Sequence, residues 1–217
     1  MMNTAEQLSH SNEHWLIGKE FVELSRICDP DINLVAVPLP DAEQVIATAQ
    51  ALLHSNLCSD RRAVGHPDSL AEEMFGELGK VESGQPLYEA IALLIDAFSC
   101  LFDLDEVGAR LARLDRAMCP RFHVDRVGVR MITTFCGSGT EWIMNEGADR
   151  RLLATTASDD PTSGFMRPGT AIQQLPTGYV ALFKGELYSG NEGKGIIHRS
   201  PVPAPGEKRL VLTLDML

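Results

Sequence analysis

The sequence has no CxxC pair: Cys28, Cys58, Cys100, Cys119 and Cys136 are odd in number and irregular in spacing. Neither a disulfide framework nor a zinc ribbon can be built from that set. Basic charge is also scarce, with 19 Lys and Arg against 30 Asp and Glu and a formal charge of −11. A phosphate backbone rewards clustered cations, so nucleic acid is not an expected partner. No apolar stretch reaches the roughly 20 residues that span a bilayer. The segment Met1 to His14 lacks the basic start and apolar run of a signal peptide. The expectation is a protein of the reducing cytoplasm with no membrane partner. Phosphate-loop and dinucleotide fingerprints are missing, and Gly137-Ser138-Gly139 has neither the spacing nor the strand-turn-helix context of a nucleophile elbow.

What is present has globular proportions, 44% hydrophobic and 23% charged, enough for one compact unit. The acidity is lopsided. Residues 1–119 hold 20 of the 30 acidic side chains and only 8 of the 19 basic ones. Two regions are expected, a mainly helical 1–118 and a β-roll over 119–217, together forming one α+β unit. In the first, Pro40-Asp41 followed by Ala42, Val45, Ile46, Ala49, Leu52 and Leu53 is a capped apolar stripe. Ser69 and Glu72 have the spacing of a capping box, and Leu87 to Phe102 is the most apolar helix. Val107 to Met118 reads as a further helix, with Leu111 and Leu114 inward and Arg110 and Arg113 outward. Ile32 to Leu39 reads as a strand.

After Pro120 the pattern changes to period two. Val127, Val129, Met131, Thr133 and Phe135 alternate with Gly128, Arg130, Ile132 and Thr134. Further strands are expected over 151–156, 171–175, 179–184, 195–198 and 208–214, with Gly or Pro between them, as in a small roll or sandwich.

Two histidines fall in this half. His123 is followed two residues later by Asp125, and His198 ends the apolar run Gly195-Ile-Ile-His198. A His-x-Asp pair at a strand end aims two side chains at one face, and a second His from a neighbouring strand completes a two-His-one-carboxylate set. That set leaves positions open on a metal and suits non-haem Fe(II). The pair alone is weak evidence, because His66-Pro67-Asp68 repeats it at a helix start, where Asp68 is a turn or capping residue.

The order His-x-Asp at a strand end, a later His198, then Arg209 on the last strand resembles the Fe(II)- and 2-oxoglutarate-dependent dioxygenases. By that resemblance the fold is a double-stranded β-helix, jelly-roll-like, carrying a helical N-terminal layer. His123, Asp125 and His198 would bind iron, Arg209 would pair with the distal carboxylate of 2-oxoglutarate, and the activity would be hydroxylation of an unknown small-molecule or protein substrate. A guanidinium fits that role because it meets a carboxylate through two parallel hydrogen bonds. The strings Cys119-Pro-Arg-Phe-His-Val-Asp-Arg126 and Gly139-Thr-Glu-Trp142 more closely resemble a bacterial family, domain of unknown function 1826. That family is associated with metal-homeostasis genes, which supports a metal but leaves zinc competing with iron.

Departures from the dioxygenase pattern bear on the co-substrate. A helix over 107–118 would run almost into the His-x-Asp, so the roll is truncated or recruits Ile32 to Leu39, and position 211 is Val rather than the Ser common in some of these enzymes. Alternatives stay open. Cys119 or Cys136 could be a soft ligand favouring zinc in a non-catalytic module, or a small buried hydrophobe. Glu141 could accept from a liganding His, with Trp142 lining a pocket, or the pair could be an ordinary hairpin. Arg126 and Arg130 could supply positive charge to an anionic ligand. Arg209 could instead be a surface residue paired with Glu207 or Asp215. A β-roll without metal, acting through its acidic helices, remains if the three side chains lie more than about 5 Å apart.

Overall fold

The computed structural model describes residues 14–153, 155 and 163–216. Ten strands and three α-helices alternate along the described chain: β1 Trp15–Ile17, β2 Leu34–Pro38, α1 Ala42–Leu52, β3 Arg61–Gly65, α2 Pro67–Gly79, α3 Gln85–Phe102, β4 Val107–Leu114, β5 Val129–Cys136, β6 Glu141–Ile143, β7 Gln173–Gln174, β8 Tyr179–Lys184, β9 Ile197–Arg199 and β10 Arg209–Met216. Seven strands form one sheet in the order β1-β2-β8-β5-β10-β4-β3, and three form a small sheet in the order β7-β6-β9. Within both sheets every pairing is antiparallel except β1 with β2.

Strand alternation divides the large sheet into two unlike faces. Leu210, Leu212 and Leu214 of β10, with Val180 and Leu182 of β8, join the core built with α1, α2 and α3. On the opposite face Val211, Ala181, Phe183 and Ile132 pack with Trp142 of the small sheet. Arg209 and Arg130 lie at odd and even positions, respectively, that period two turns to this second face, towards the small sheet.

Several expectations are corrected. Val107 to Met118 is not a helix. Its i, i+3 leucines and arginines imitate a helical face, but Val107–Leu114 pairs along its whole length with β10 and is flanked by β3. A central strand buried on both faces satisfies its backbone and its apolar residues together, and this overrides local periodicity. The large sheet also draws β2 in beside β8. The expected strand over 151–156 is instead a short 3-10 turn at Arg150–Leu152, and residues 154 and 156 lie outside the described ones. Helix α2 starts earlier than Ser69: Pro67 opens it, and the His66 ring accepts from the Asp68 N–H. Asp41 makes no side-chain cap.

Contrary to the expectation from the sequence, the segment Glu82–Phe102 is, by length and composition, long and apolar enough to cross a membrane. Within it α3 buries Leu87, Ile91, Leu94, Ile95 and Phe98 in the core it shares with α1, α2 and the sheet and leaves Glu89 and Asp96 exposed. Gly139 precedes β6 at a close backbone approach, since a Cβ there would sit 1.9 Å from the Leu175 carbonyl oxygen.

Candidate metal centre

His123 and His198 are joined by their backbones before their side chains meet. The His123 N–H donates to the His198 carbonyl at 3.0 Å and the His198 N–H returns the bond at 2.9 Å. This antiparallel bridge brings the two rings to 4.5 Å between centroids. Each Nδ1 lies against the carbonyl two residues earlier, Arg121 at 2.9 Å and Ile196 at 3.0 Å. With Nδ1 donating there, the neutral ring presents the Nε2 lone pair. Both Nε2 atoms turn to Asp125, at 3.6 Å for His123 and 3.2 Å for His198.

The ligating atoms of His123, Asp125 and His198 all lie within 4.8 Å of one another. Metal bonds of about 2.1 Å place neighbouring donors roughly 3 Å apart, so a small contraction would seat one ion. Asp125 Oδ2 is buried and has no hydrogen-bond partner among the described residues. Arg130 Nη1 at 2.8 Å balances its charge without completing a hydrogen bond, so the oxygen keeps lone-pair capacity for an ion held between the three side chains. The donor chemistry and the orphaned oxygen therefore both fit a metal.

Arg130 does not stand free for an anionic ligand; its guanidinium spans two carboxylates. Nη1 lies 2.8 Å from Asp125 Oδ2, close enough to pair but not aligned as a hydrogen bond, while Nε and Nη2 reach the two oxygens of Asp215 at 2.6 and 2.9 Å. Burial opposes ionisation of Asp125, but the two adjoining imidazoles and the Arg130 guanidinium outweigh it and hold the carboxyl below its usual range. Arg130→Met leaves two carboxylates uncompensated. Melting curves are expected to show a loss of about 3–5 kcal/mol, with Arg130→Lys recovering part of it, because an ammonium cannot fork to both partners. An unchanged melting curve would contradict this role.

Arg209 is 1% exposed. Its Nε donates to the Ser138 carbonyl at 2.5 Å and its Nη1 to Ser200 Oγ at 2.7 Å. No carboxylate pairs with it among the described residues, and burial lowers its pKa to about 10. The surface reading of Arg209 is therefore wrong: Asp215 belongs to Arg130, and Glu207 accepts from Ser138. Position 211 is apolar, but Ser200, just past the end of β9, brings a hydroxyl to the guanidinium. Arg209, Ser200, His123, His198 and Arg130 border one slot of about 40 Å³, room for roughly three waters.

The other nominated residues go elsewhere. Glu141 pairs with Arg199 at 2.6 Å, and Arg199 covers the Phe122 ring, so Glu141 does not support a histidine. Cys136 donates to the Lys208 carbonyl; Cys119 borders the slot but is not one of the three clustered ligands. Arg126 is exposed. All five cysteines are free.

No functionally curated protein matches the sequence significantly. Among solved structures, the rice dioxygenase for auxin oxidation is similar over 95% of this chain and 83% of its own, with 12% identity and a TM-score of 0.51. That likeness shows a shared fold, a mixed α+β arrangement with a large antiparallel sheet and few helices. A Pseudomonas putida prolyl-4-hydroxylase matches over 92% of this chain and 96% of its own at 18% identity and a TM-score of 0.44. HygX from Streptomyces hygroscopicus, solved with iron bound, matches over 91% and 87% at 12% identity and a TM-score of 0.46. The family model described as protein of unknown function (DUF1826) matches residues 18–215, and the chain belongs to that family.

Proposed function

We propose that this chain is an Fe(II)- and 2-oxoglutarate-dependent oxygenase that hydroxylates a small-molecule or protein substrate. The observation that carries the reading is Arg209, a guanidinium buried without a carboxylate in the same slot as His123 and His198. A buried cation without a counter-ion costs stability and is retained where a ligand supplies the anion.

His123 and His198 would hold the metal through Nε2 and Asp125 through its carboxylate, with Arg130 fixing the orientation of that carboxylate. Arg209 and the Ser200 hydroxyl would bind the far carboxylate of the co-substrate. When bound, iron with 2-oxoglutarate supplies the oxidising power to hydroxylate a C–H bond. Phe183, its ring 5.0 Å from that of His198, and Val211 make the surroundings apolar and keep water out. The slot is small for a five-carbon dicarboxylate, so entry displaces a wall side chain; Met118, unbranched and more than a third exposed, is the one placed to yield.

The alternative is a non-catalytic zinc or iron module, favoured by Cys119 bordering the same slot. An acidic chain with free cysteines suits the cytoplasm and gives no footing to nucleic acid. Metal analysis of anaerobically purified protein, combined with an assay of 2-oxoglutarate conversion to succinate, decides between them. Bound iron with succinate formation supports the oxygenase. Tight zinc with no turnover supports the module, and absence of any bound divalent metal overturns both.

A further inference from the structure

The sheet face that walls the metal slot continues beyond it. Register aligns Ile132 of β5, Thr213 of β10, Arg110 of β4 and Arg62 of β3 in one row across the large sheet. Residues directly opposed in antiparallel strands share a face. Ile132 and Thr213 border the slot, so Arg110 lies one strand beyond its wall and Arg62 two, roughly 5 and 10 Å at the usual strand spacing. β3 is the last strand of the sheet on this side. Arg62 is exposed and Arg110 half-buried, so both side chains reach solvent.

Two arginines opposed across a ladder, with Cβ atoms about 4.5–5.5 Å apart, repel each other. A carboxylate beside them would relieve this, and acid is in excess, 30 residues against 19 basic ones. None is supplied. Arg26, Arg130, Arg150, Arg151 and Arg199 each pair with a carboxylate, whereas the Arg62 and Arg110 side chains make no ion pair or hydrogen bond among the described residues. Two acidic side chains in the same part of the ladder are committed elsewhere. Asp215, opposite Gly108, is held by the fork of Arg130, and Asp60 accepts from the Arg113 N–H at 2.7 Å. The positions two away on the same face are Gly108 and Ala112 beside Arg110, and Val64 beside Arg62. A cation pair left uncompensated next to a binding slot, in a chain with acid to spare, marks a place where a ligand brings the counter-charge.

We propose that Arg62 and Arg110 bind the acidic group, a carboxylate or a phosphate, of a small molecule whose remainder reaches past Thr213 to the metal centre. Each guanidinium offers parallel N–H donors that match two oxygens of either group. That this molecule is the one hydroxylated rests on the oxygenase reading, and the reacting C–H then lies roughly 5–10 Å from the acid. The anion site itself does not depend on that reading.

Side-chain Nε–H resonances of full-length, metal-free protein labelled with 15N-arginine report contact at each residue, and Arg62→Gln and Arg110→Gln assign the two signals. The probes are 3-phenylpropionate, phenyl phosphate and the neutral 3-phenylpropionamide. At least one anion is expected to shift both signals saturably, with an affinity at least about 10-fold above that of the amide. The tighter anion tells a carboxylate ligand from a phosphate ester. In Arg62→Gln protein the Arg110 signal should titrate with about 10-fold weaker affinity. Arg26→Gln, which removes a cation from the turn before β2, near the opposite edge of the sheet, leaves the affinity unchanged. Anions that shift neither signal, or that bind no better than the amide, overturn the proposal. So does an Arg110 signal that titrates identically with and without Arg62. Because Arg62→Gln relieves a like-charge pair, its melting temperature should not fall; if the variant does not fold, the three-probe comparison on the wild type decides. Iron content and succinate formation do not involve these residues, so failure here leaves the oxygenase reading standing, and a protein without metal leaves the anion site testable.

Discussion

A protein with His123 and His198 both changed to alanine is expected to keep its fold and lose its divalent metal. The two residues hold the strands together through reciprocal backbone hydrogen bonds at 3.0 and 2.9 Å, which alanine preserves. What disappears is the pair of Nε2 atoms facing Asp125. Altering even an outer partner of a liganding group costs about 10–100-fold in metal affinity, so removing two donors should exceed the upper end of that range. Isothermal titration of anaerobic protein with Fe(II), beside circular dichroism of both forms, measures the two effects separately. A folded double variant that binds iron like the parent would exclude these residues as the centre.

Arg209→Met is expected to separate co-substrate binding from stability. The parent buries a guanidinium with two hydrogen bonds to neutral partners and no counter-ion. Methionine fills similar volume without the charge, and such replacements are often neutral or stabilising. The Ser138 carbonyl and Ser200 hydroxyl each lose a partner, which offsets part of that gain. The melting temperature should therefore move little. Binding of 2-oxoglutarate should fall sharply, because truncating one member of a buried charge pair costs about 3 kcal/mol, roughly 100-fold in affinity. Equilibrium dialysis against labelled 2-oxoglutarate, with metal content measured in parallel, tests this. Unchanged affinity would remove Arg209 from the site, and lost metal would assign it a different role.

Much of the candidate centre is legible in the chain. The period-two runs that became β5, β8 and β10 are visible because each strand has two unlike faces, and alternation records that difference. His123, Asp125, His198 and Arg209 stand out because their types and order are uncommon on strands. Arg130 is visible as a strand cation, but its partners are not. Its fork joins Asp125, in the approach to β5, to Asp215 on β10, and no local pattern shows that a strand arginine faces two carboxylates rather than solvent. The misreading of β4 has the same origin. Leu111 and Leu114 satisfy a helical stripe equally well, and only the flanking β10 and β3 make the extended form the better way to pair that backbone.

The sequence by itself determined which residue types were on hand for chemistry, the excess of acid in the first half, and the alternation that points Arg209 the same way as Val211. These properties are local, set by side-chain identity and by the backbone periods of helix and strand. Only the tertiary structure decided that two histidines far apart in the chain exchange backbone hydrogen bonds beside one aspartate. It also decided that Arg209 is buried without a carboxylate paired to it, and that Trp15, Asn33 and Trp142 share a cavity. Each of these depends on pairing between distant strands, whose partner and register follow from how whole faces bury together rather than from any segment's own pattern.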